Sequence, residues 1–273
     1  MSAPSLGPVP EHLRTGTTTR GDLMAKQILA MIDADITRAR RSYGRGTWGY
    51  TVLRTVYTPD SDRLFPEAMD HLKRWILFYI DRGRFSSFGG RGKEVMAENP
   101  ERVNEVIRRL HLDVIEDKEN LDVGPLSFNS PEAFYQLEKH YRQTMNAVRE
   151  EVESAETGRF SDCLIVDAES LASLQILFRD PPVPRNPDTL EELQQLKKAG
   201  RGSWLWLLDS KNTRRHHAGA VVDGLDESAV GFMKIETGMI HQAWYARSMS
   251  WSRYEFFLPT KRHENGEVYL DYW

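Results

Sequence analysis

Residues 50–57 read YTVLRTVY, a run so dense in β-branched and aromatic side chains that it fits a buried strand and little else. Pro59 stops it, and Asp60, Ser61 and Asp62 then offer side chains to cap a helix. Leu64, Ala68, Leu72, Trp75, Ile76 and Tyr79 follow at helical spacing, which predicts an amphipathic helix with one buried stripe. A strand, a tight turn and a helix in that order form a βα unit, and the rest of the chain must build a sheet around it. Alternation puts Tyr50, Val52, Arg54 and Val56 on one strand face. An unpaired guanidinium between two valines is costly, so Arg54 is expected to be at least partly buried against a carboxylate, with Glu236 or Asp271 as partners. Structural pairing is the favoured reading, with Arg54 as an anchor for an anionic ligand the second.

Elsewhere the chain alternates between helical and strand texture. Residues 1–21 are rich in Pro, Gly, Ser and Thr and read as a flexible lead-in. A helix is predicted from Asp22 onward on Leu23, Ile28, Leu29, Ile32 and Ile36, another after Pro100 to about Leu110, and a third from Asn129-Ser130-Pro131-Glu132 to about Glu153. His111–Glu116 alternates without declaring its type. Leu164–Val166 is a strand core, and 180–188, with four prolines, is a connector or linker. A polar helix is predicted near Leu190–Lys198. Five strand-like runs come next: Trp204–Leu208, Gly219–Val222, Val230–Glu236, Tyr254–Leu258 and Val268–Tyr272, with Asn265-Gly266 as a hairpin signal. Short turns between strands point to an antiparallel meander. The expectation is an α+β fold, a mainly antiparallel sheet covered by helices on one face, with 22–273 as a single domain.

Composition narrows the function classes. Thirty-six Lys and Arg against 40 Asp and Glu give a net charge of −4 over 273 residues, which does not favour a polyanion-binding protein. The basic clusters Arg38–Arg45 and Arg82–Lys93, interleaved with Tyr43, Phe85 and Phe88, keep nucleic acid open only as a weaker reading. No window is apolar enough for a membrane span, and the opening residues lack the pattern of a secretory signal, so a soluble cytoplasmic protein is expected. Cys163 is the single cysteine, which excludes an intramolecular disulfide and a cysteine-rich zinc site, and it reads as a buried small hydrophobe. Gly89-Gly90-Arg91-Gly92-Lys93-Glu94 fails as a nucleotide loop, because Ser87 stands where a glycine is needed and Glu94 where a magnesium-binding hydroxyl is needed. No dinucleotide fingerprint, nucleophile elbow or metalloprotease motif occurs. No cofactor and no metal are expected.

Titratable candidates cluster late in the chain. His216 and His217 sit in a basic stretch read as a loop between strands, with Asp209 before it and Asp223 after it; Glu236, His241 and Arg247 follow. Such groups at strand ends can supply acid–base chemistry, which makes Asp209, His216, Glu236, His241 and Arg247 the candidate catalytic residues. Trp204 and Trp206 share a strand face and, with Trp244 and Arg54, are the candidate ligand-binding residues.

The segment GYTVLRTVYTPDSD (49–62), with the Trp- and Tyr-rich late strands, resembles a group of uncharacterised hypothetical proteins of filamentous fungi. The resemblance covers about 45–273 and implies a fungal origin; it brings no activity and no site residue. Two functions follow from the residues themselves. One is a non-catalytic binding or interaction protein for an unknown small molecule or protein. The other is a cofactor-independent small-molecule enzyme of specialised metabolism, working with acid–base residues around an aromatic pocket. Convergence of two or more of the five titratable candidates favours the enzyme, and dispersal favours the binding protein.

Overall fold

The computed structural model describes residues 6–16, 23–38, 46–82, 100–129, 131–149, 162–182, 189–218, 231–248, 261–262 and 268–269. In chain order its main elements are α1 (Glu11–Arg14), α2 (Leu23–Arg38), β1 (Thr51–Arg54), α3 (Pro59–Arg82), α4 (Pro100–Arg109), β2 (Asp113–Glu116), α5 (Lys118–Leu121), α6 (Glu132–Arg149) and β3 (Asp162–Val166). There follow α7 (Ala168–Leu174), α8 (Leu190–Lys198), β4 (Trp204–Asp209), α9 (Ser210–His217), β5 (Phe232–Glu236), α10 (Ile240–Ser248), β6 (Lys261–Arg262) and β7 (Val268–Tyr269). The strands lie in the order β2-β1-β3-β4-β5-β7-β6.

Helices and strands occur as expected, but the sheet is mixed. β1 runs parallel to both β2 and β3, while β3–β4 and β4–β5 are antiparallel. Connectivity allows the parallel pairs. Between β1 and β2 stand α3 and α4, and between β2 and β3 stand α5 and α6. Crossovers of that length are what parallel neighbours require; β3 and β4 are antiparallel although α7 and α8 stand between them, and β4 and β5 although α9 does. Helices also cover both faces, not one. On the first face Val52, Leu164, Leu207 and Met233 pack with side chains of α2, α3, α4, α7 and α10. On the second, Leu53, Ile165, Trp206 and Phe232 pack on Phe134, Leu137, Tyr141 and Met145 of α6. Each strand contributes to both layers by simple alternation, which is why these strands read as continuous apolar runs.

The predicted βα unit is present as β1–α3. Its turn is a reciprocal cap: Ser61 N–H donates to Thr58 Oγ1 at 3.1 Å, and Thr58 N–H donates to Ser61 Oγ at 2.8 Å. The cap residue is therefore Thr58, one position before Pro59. The neighbouring strand β3 ends the same way, with Asp167 Oδ1 accepting from Ser170 N–H at 2.8 Å and Ser170 Oγ accepting from Asp167 N–H at 2.9 Å. Gly49, with φ +127°, sits just before β1, where the His111 carbonyl oxygen lies 2.1 Å from the place any Cβ would occupy. Residues 6–16, read as part of a lead-in, bury Val9 and Leu13 in the first-face core. The stretch around His216, expected as a loop between strands, is helix α9. Strands expected at Gly219–Val222 and Tyr254–Leu258, together with Asp223, the 39–45 and 83–93 parts of the basic clusters and residues 183–188 of the connector, lie outside the described residues.

Candidate functional site

The carboxyl ends of β1, β2, β3 and β5 fall on one rim of the sheet, beside the start of β4. That is the edge where α/β sheets place ligands. Arg54, the last residue of β1, is 6% exposed there. Its Nε donates to the Val56 carbonyl at 2.9 Å, Nη1 donates to Glu116 Oε1 at 2.9 Å, and Nη2 donates to Ser61 Oγ at 3.3 Å and to Asp62 Oδ1. The rings of Tyr57 and Phe65 flank the guanidinium at 4.9 and 4.8 Å. The expected burial with carboxylate partners is found, but the partners are Glu116 and Asp62, not Glu236 or Asp271. The parallel register sets Arg54 beside Glu116, and the βα turn delivers Asp62. Arg54 thus spends its donors on tying β1 to β2 and to the first turn of α3.

On the second face of the same rim, Tyr57 Oη donates to the Arg54 carbonyl at 2.7 Å and accepts from Asp117 N–H at 3.0 Å. Burial pushes the Tyr57 phenol above its ordinary pKa. Asp117 caps α5, and the hydrogen bond from the Asn120 side chain holds its carboxyl below the ordinary range. His140 Nε2 of α6 lies 3.6 Å from Asp117 Oδ2.

Two strands along, an aromatic wall carries a cation. Trp204 and Trp206 meet edge to face at 5.6 Å, and Trp206 also meets Phe134 and Phe128 at 5.0 Å each. The Trp206 indole N–H donates to Asp167 Oδ2 at 3.0 Å. Lys234 stands opposite Trp206 in the β4–β5 register and is 5% exposed. Its Nζ sits 4.1 Å from the Trp204 ring centroid, 5.3 Å from that of Trp206 and 3.9 Å from Glu169 Oε2. A cation held against two indole faces gains from both ring quadrupoles. Half-buried Trp204 and exposed Glu169 leave this cluster open at one side. Lys234 and Asp167 were not singled out from the sequence. The available signal for Lys234 was a lysine inside the apolar run FMKI, the same signal that marked Arg54.

Of the five titratable candidates, Asp209 and Glu236 stand at opposite ends of the β4–β5 ladder. Asp209, at the far end of β4, accepts from Lys211 N–H at 2.9 Å, Asn212 N–H at 3.1 Å and Asn212 Nδ2 at 2.9 Å, so it caps α9. Glu236 is paired with Trp204, five positions back along the ladder and roughly 17 Å away at ordinary strand rise. His241 is buried in α10, and Arg247 and His216 lie on α10 and α9 with side chains outside the described part. His217 is exposed and packs on the Tyr135 ring at 4.3 Å. Of the aromatic candidates, Trp204 and Trp206 come together, whereas Trp244 is on the opposite face, edge to face with Trp48 at 5.3 Å. Cys163 is buried, and that burial pushes its thiol well above the ordinary pKa, which disfavours the thiolate. Among the described residues no group of three or more His, Cys, Asp or Glu is arranged to hold a metal ion, and no helix is long and apolar enough to cross a membrane. No protein-family model matches this chain, and comparison with curated proteins and with solved structures returns no similar protein.

Proposed function

We propose that this protein is a non-catalytic binding protein whose ligand site is the Trp204–Trp206–Lys234 corner of the rim. The observation that carries the reading is the separation of Asp209 from Glu236 at opposite ends of the β4–β5 ladder, with Asp209 already committed to capping α9. Acid–base chemistry needs its groups within hydrogen-bond reach of one substrate atom. Binding needs only an apolar wall with a few placed polar groups, and the corner offers two indoles, an ammonium and a carboxylate. A ligand with an aromatic or planar body and a charged edge suits that chemistry.

A thermal-shift screen against a metabolite library tests the reading, because a ligand present at 100 times its Kd stabilises by about 2.7 kcal/mol. The expected result is a hit that Trp204→Ala abolishes and that mass spectrometry recovers unchanged after prolonged incubation. A hit recovered as a different compound replaces the binding reading with the enzyme reading. In that case the pair His140 and Asp117, within one rim of Arg54, is the first place to mutate.

A further inference from the structure

We propose that α2 and α4 form a peptide-recognition groove, and that residues 6–16 are its resident, exchangeable occupant. The groove lies at the end of β1 and β2 opposite the rim, beside the Trp48–Leu110 bridge, and does not depend on the ligand site proposed above.

The grip on the segment comes from two buried arginines of α4. Arg102 and Arg109 are seven residues apart, two helical turns, and so share one face of the helix. They are 2% and 1% exposed. Arg102 donates through Nε to the Leu13 carbonyl at 2.9 Å and through Nη2 to the Thr15 carbonyl at 2.6 Å. Arg109 donates through Nη1 to the Gly7 carbonyl at 3.0 Å and through Nη2 to the Pro8 carbonyl at 3.2 Å, while Glu105 fixes its Nε at 2.7 Å. Four main-chain carbonyls, two at each end of the segment, are therefore held by guanidinium forks. Every peptide has carbonyls, so these contacts read the path of a chain and not its side chains.

Side-chain selectivity comes from Val9 and Leu13, the two residues of 6–16 that are buried. They are four apart, Val9 before α1 and Leu13 within it, and they join the core cluster that includes Ile28, Leu29, Val103 and Val106. Arg14 adds an ion pair to Asp33 of α2 at 2.9 Å, and Lys26 of α2 donates to the Gly16 carbonyl at 2.8 Å. The occupant recognised is thus a peptide with an extended Gly-Pro lead, two aliphatic residues four apart and one helical turn. Exchange is physically accessible because three of the four contacts to the segment's carbonyls are part-buried, and Arg109 Nη1 keeps the Gly46 carbonyl, at 2.7 Å, when the segment lifts. When it lifts, those donors meet water and are not stranded in a closed core. A short terminal segment held by two apolar side chains and a handful of hydrogen bonds opens before the rest of a domain. A partner presenting the same pattern takes the place of residues 6–16.

The test uses the full chain with a protease site inserted within 17–22. After cleavage, a fluorescent synthetic peptide of residues 6–16 is added and its anisotropy followed, with gel filtration reporting the cleaved fragment. The expected result is saturable uptake of the labelled peptide, competition by the unlabelled peptide, and competition weaker by about tenfold or more when Val9 and Leu13 of the peptide are both replaced by Asp. The uncleaved protein takes up the peptide much more weakly, because its own tethered segment competes at high effective concentration. Substituting the peptide keeps the readout independent of whether an Arg102 or Arg109 variant folds. Three outcomes overturn the proposal: a fragment that never exchanges, a fragment that leaves with no peptide rebinding, and a doubly substituted peptide that competes as well as the natural one.

Discussion

Arg54 and Asp167 show what a buried polar side chain contributes when it ties separate stretches of chain together. Arg54 ties three pieces of chain, but Glu116 and Asp62 are 53% and 62% exposed, so each ion pair is solvated on one side. Exposed pairs contribute about 1 kcal/mol or less, and Glu116→Gln is expected to cost no more than that. Arg54→Met removes the donor to the buried Val56 carbonyl as well, and the flat group between Tyr57 and Phe65. Its expected cost is about 2–3 kcal/mol by urea unfolding. Equal midpoints for the two variants would show that the ion pairs, not the carbonyl contact and packing, hold the turn. At Asp167 one oxygen caps α7 and the other accepts from the Trp206 indole. Asp167→Ala loses the cap and orphans a buried N–H, together about 2–4 kcal/mol. Asp167→Asn keeps one accepting oxygen for two jobs and should fall between Ala and wild type. An Asn variant as unstable as Ala would mean that the negative charge itself matters more than the hydrogen bonds.

At the level of elements, α4 combines an apolar stripe toward the core with two arginines under the N-terminal segment, and Glu105 links the two roles. Arg108 donates to both Glu105 oxygens, at 2.8 and 2.6 Å, and Arg109 donates to one at 2.7 Å. The hydrogen bonds from Arg108, then those from Arg109, hold the Glu105 carboxyl below its ordinary pKa. A depressed native pKa means that the unfolded chain binds the proton more tightly. The resulting stability is complete above the ordinary Glu value of about 4.3 and is lost as pH falls from there through the native value. Glu105→Gln should therefore be less stable than wild type by about 1–2 kcal/mol at pH 7, with the gap closing near pH 3. Urea midpoints at the two pH values read it directly, and a gap that stays constant would rule out the linkage. Elements written by local pattern were legible in the sequence: β1 from its alternation, α3 from its stripe, and the burial of Arg54 from its two flanking valines. What was not legible depended on partners far along the chain. The identity of Glu116 as partner follows from the parallel β1–β2 register, and that register follows from which crossovers the helices make. Helix α9, SKNTRRHH, has no apolar stripe to announce it. It is set by the Asp209 cap and by docking on α6, where Ser210 donates to buried Glu138 at 2.7 Å.

For the whole molecule, the question left by the proline-rich connector is whether 180–188 divides the chain into independent parts. We propose, from the packing, that it does not. The strand before it, β3, and the strand after it, β4, are hydrogen-bonded neighbours, with Cys163 opposite Leu208 and Ile165 opposite Trp206. The first-face core takes Val9 and Ile76 from one side of the connector and Met233 and Trp244 from the other. The connector's start is also pinned to α3: the Trp75 indole donates to the Leu177 and Arg179 carbonyls at 3.0 and 3.1 Å, and Arg74 donates to Asp180 at 2.7 Å. Separating the halves would expose a sheet edge on each and split an apolar core, both strongly unfavourable in water. A protease site placed within 183–188 and cut to completion should therefore leave two fragments that co-elute in native buffer. They should unfold in one transition, with far-UV circular dichroism and tryptophan fluorescence coinciding, as expected of a single cooperative unit. The midpoint should fall relative to the uncut chain, since cutting frees conformational entropy in the unfolded state, and it should now depend on protein concentration because unfolding releases two molecules. Fragments that separate in native buffer, each with its own transition, would instead establish two domains meeting at the β3–β4 ladder.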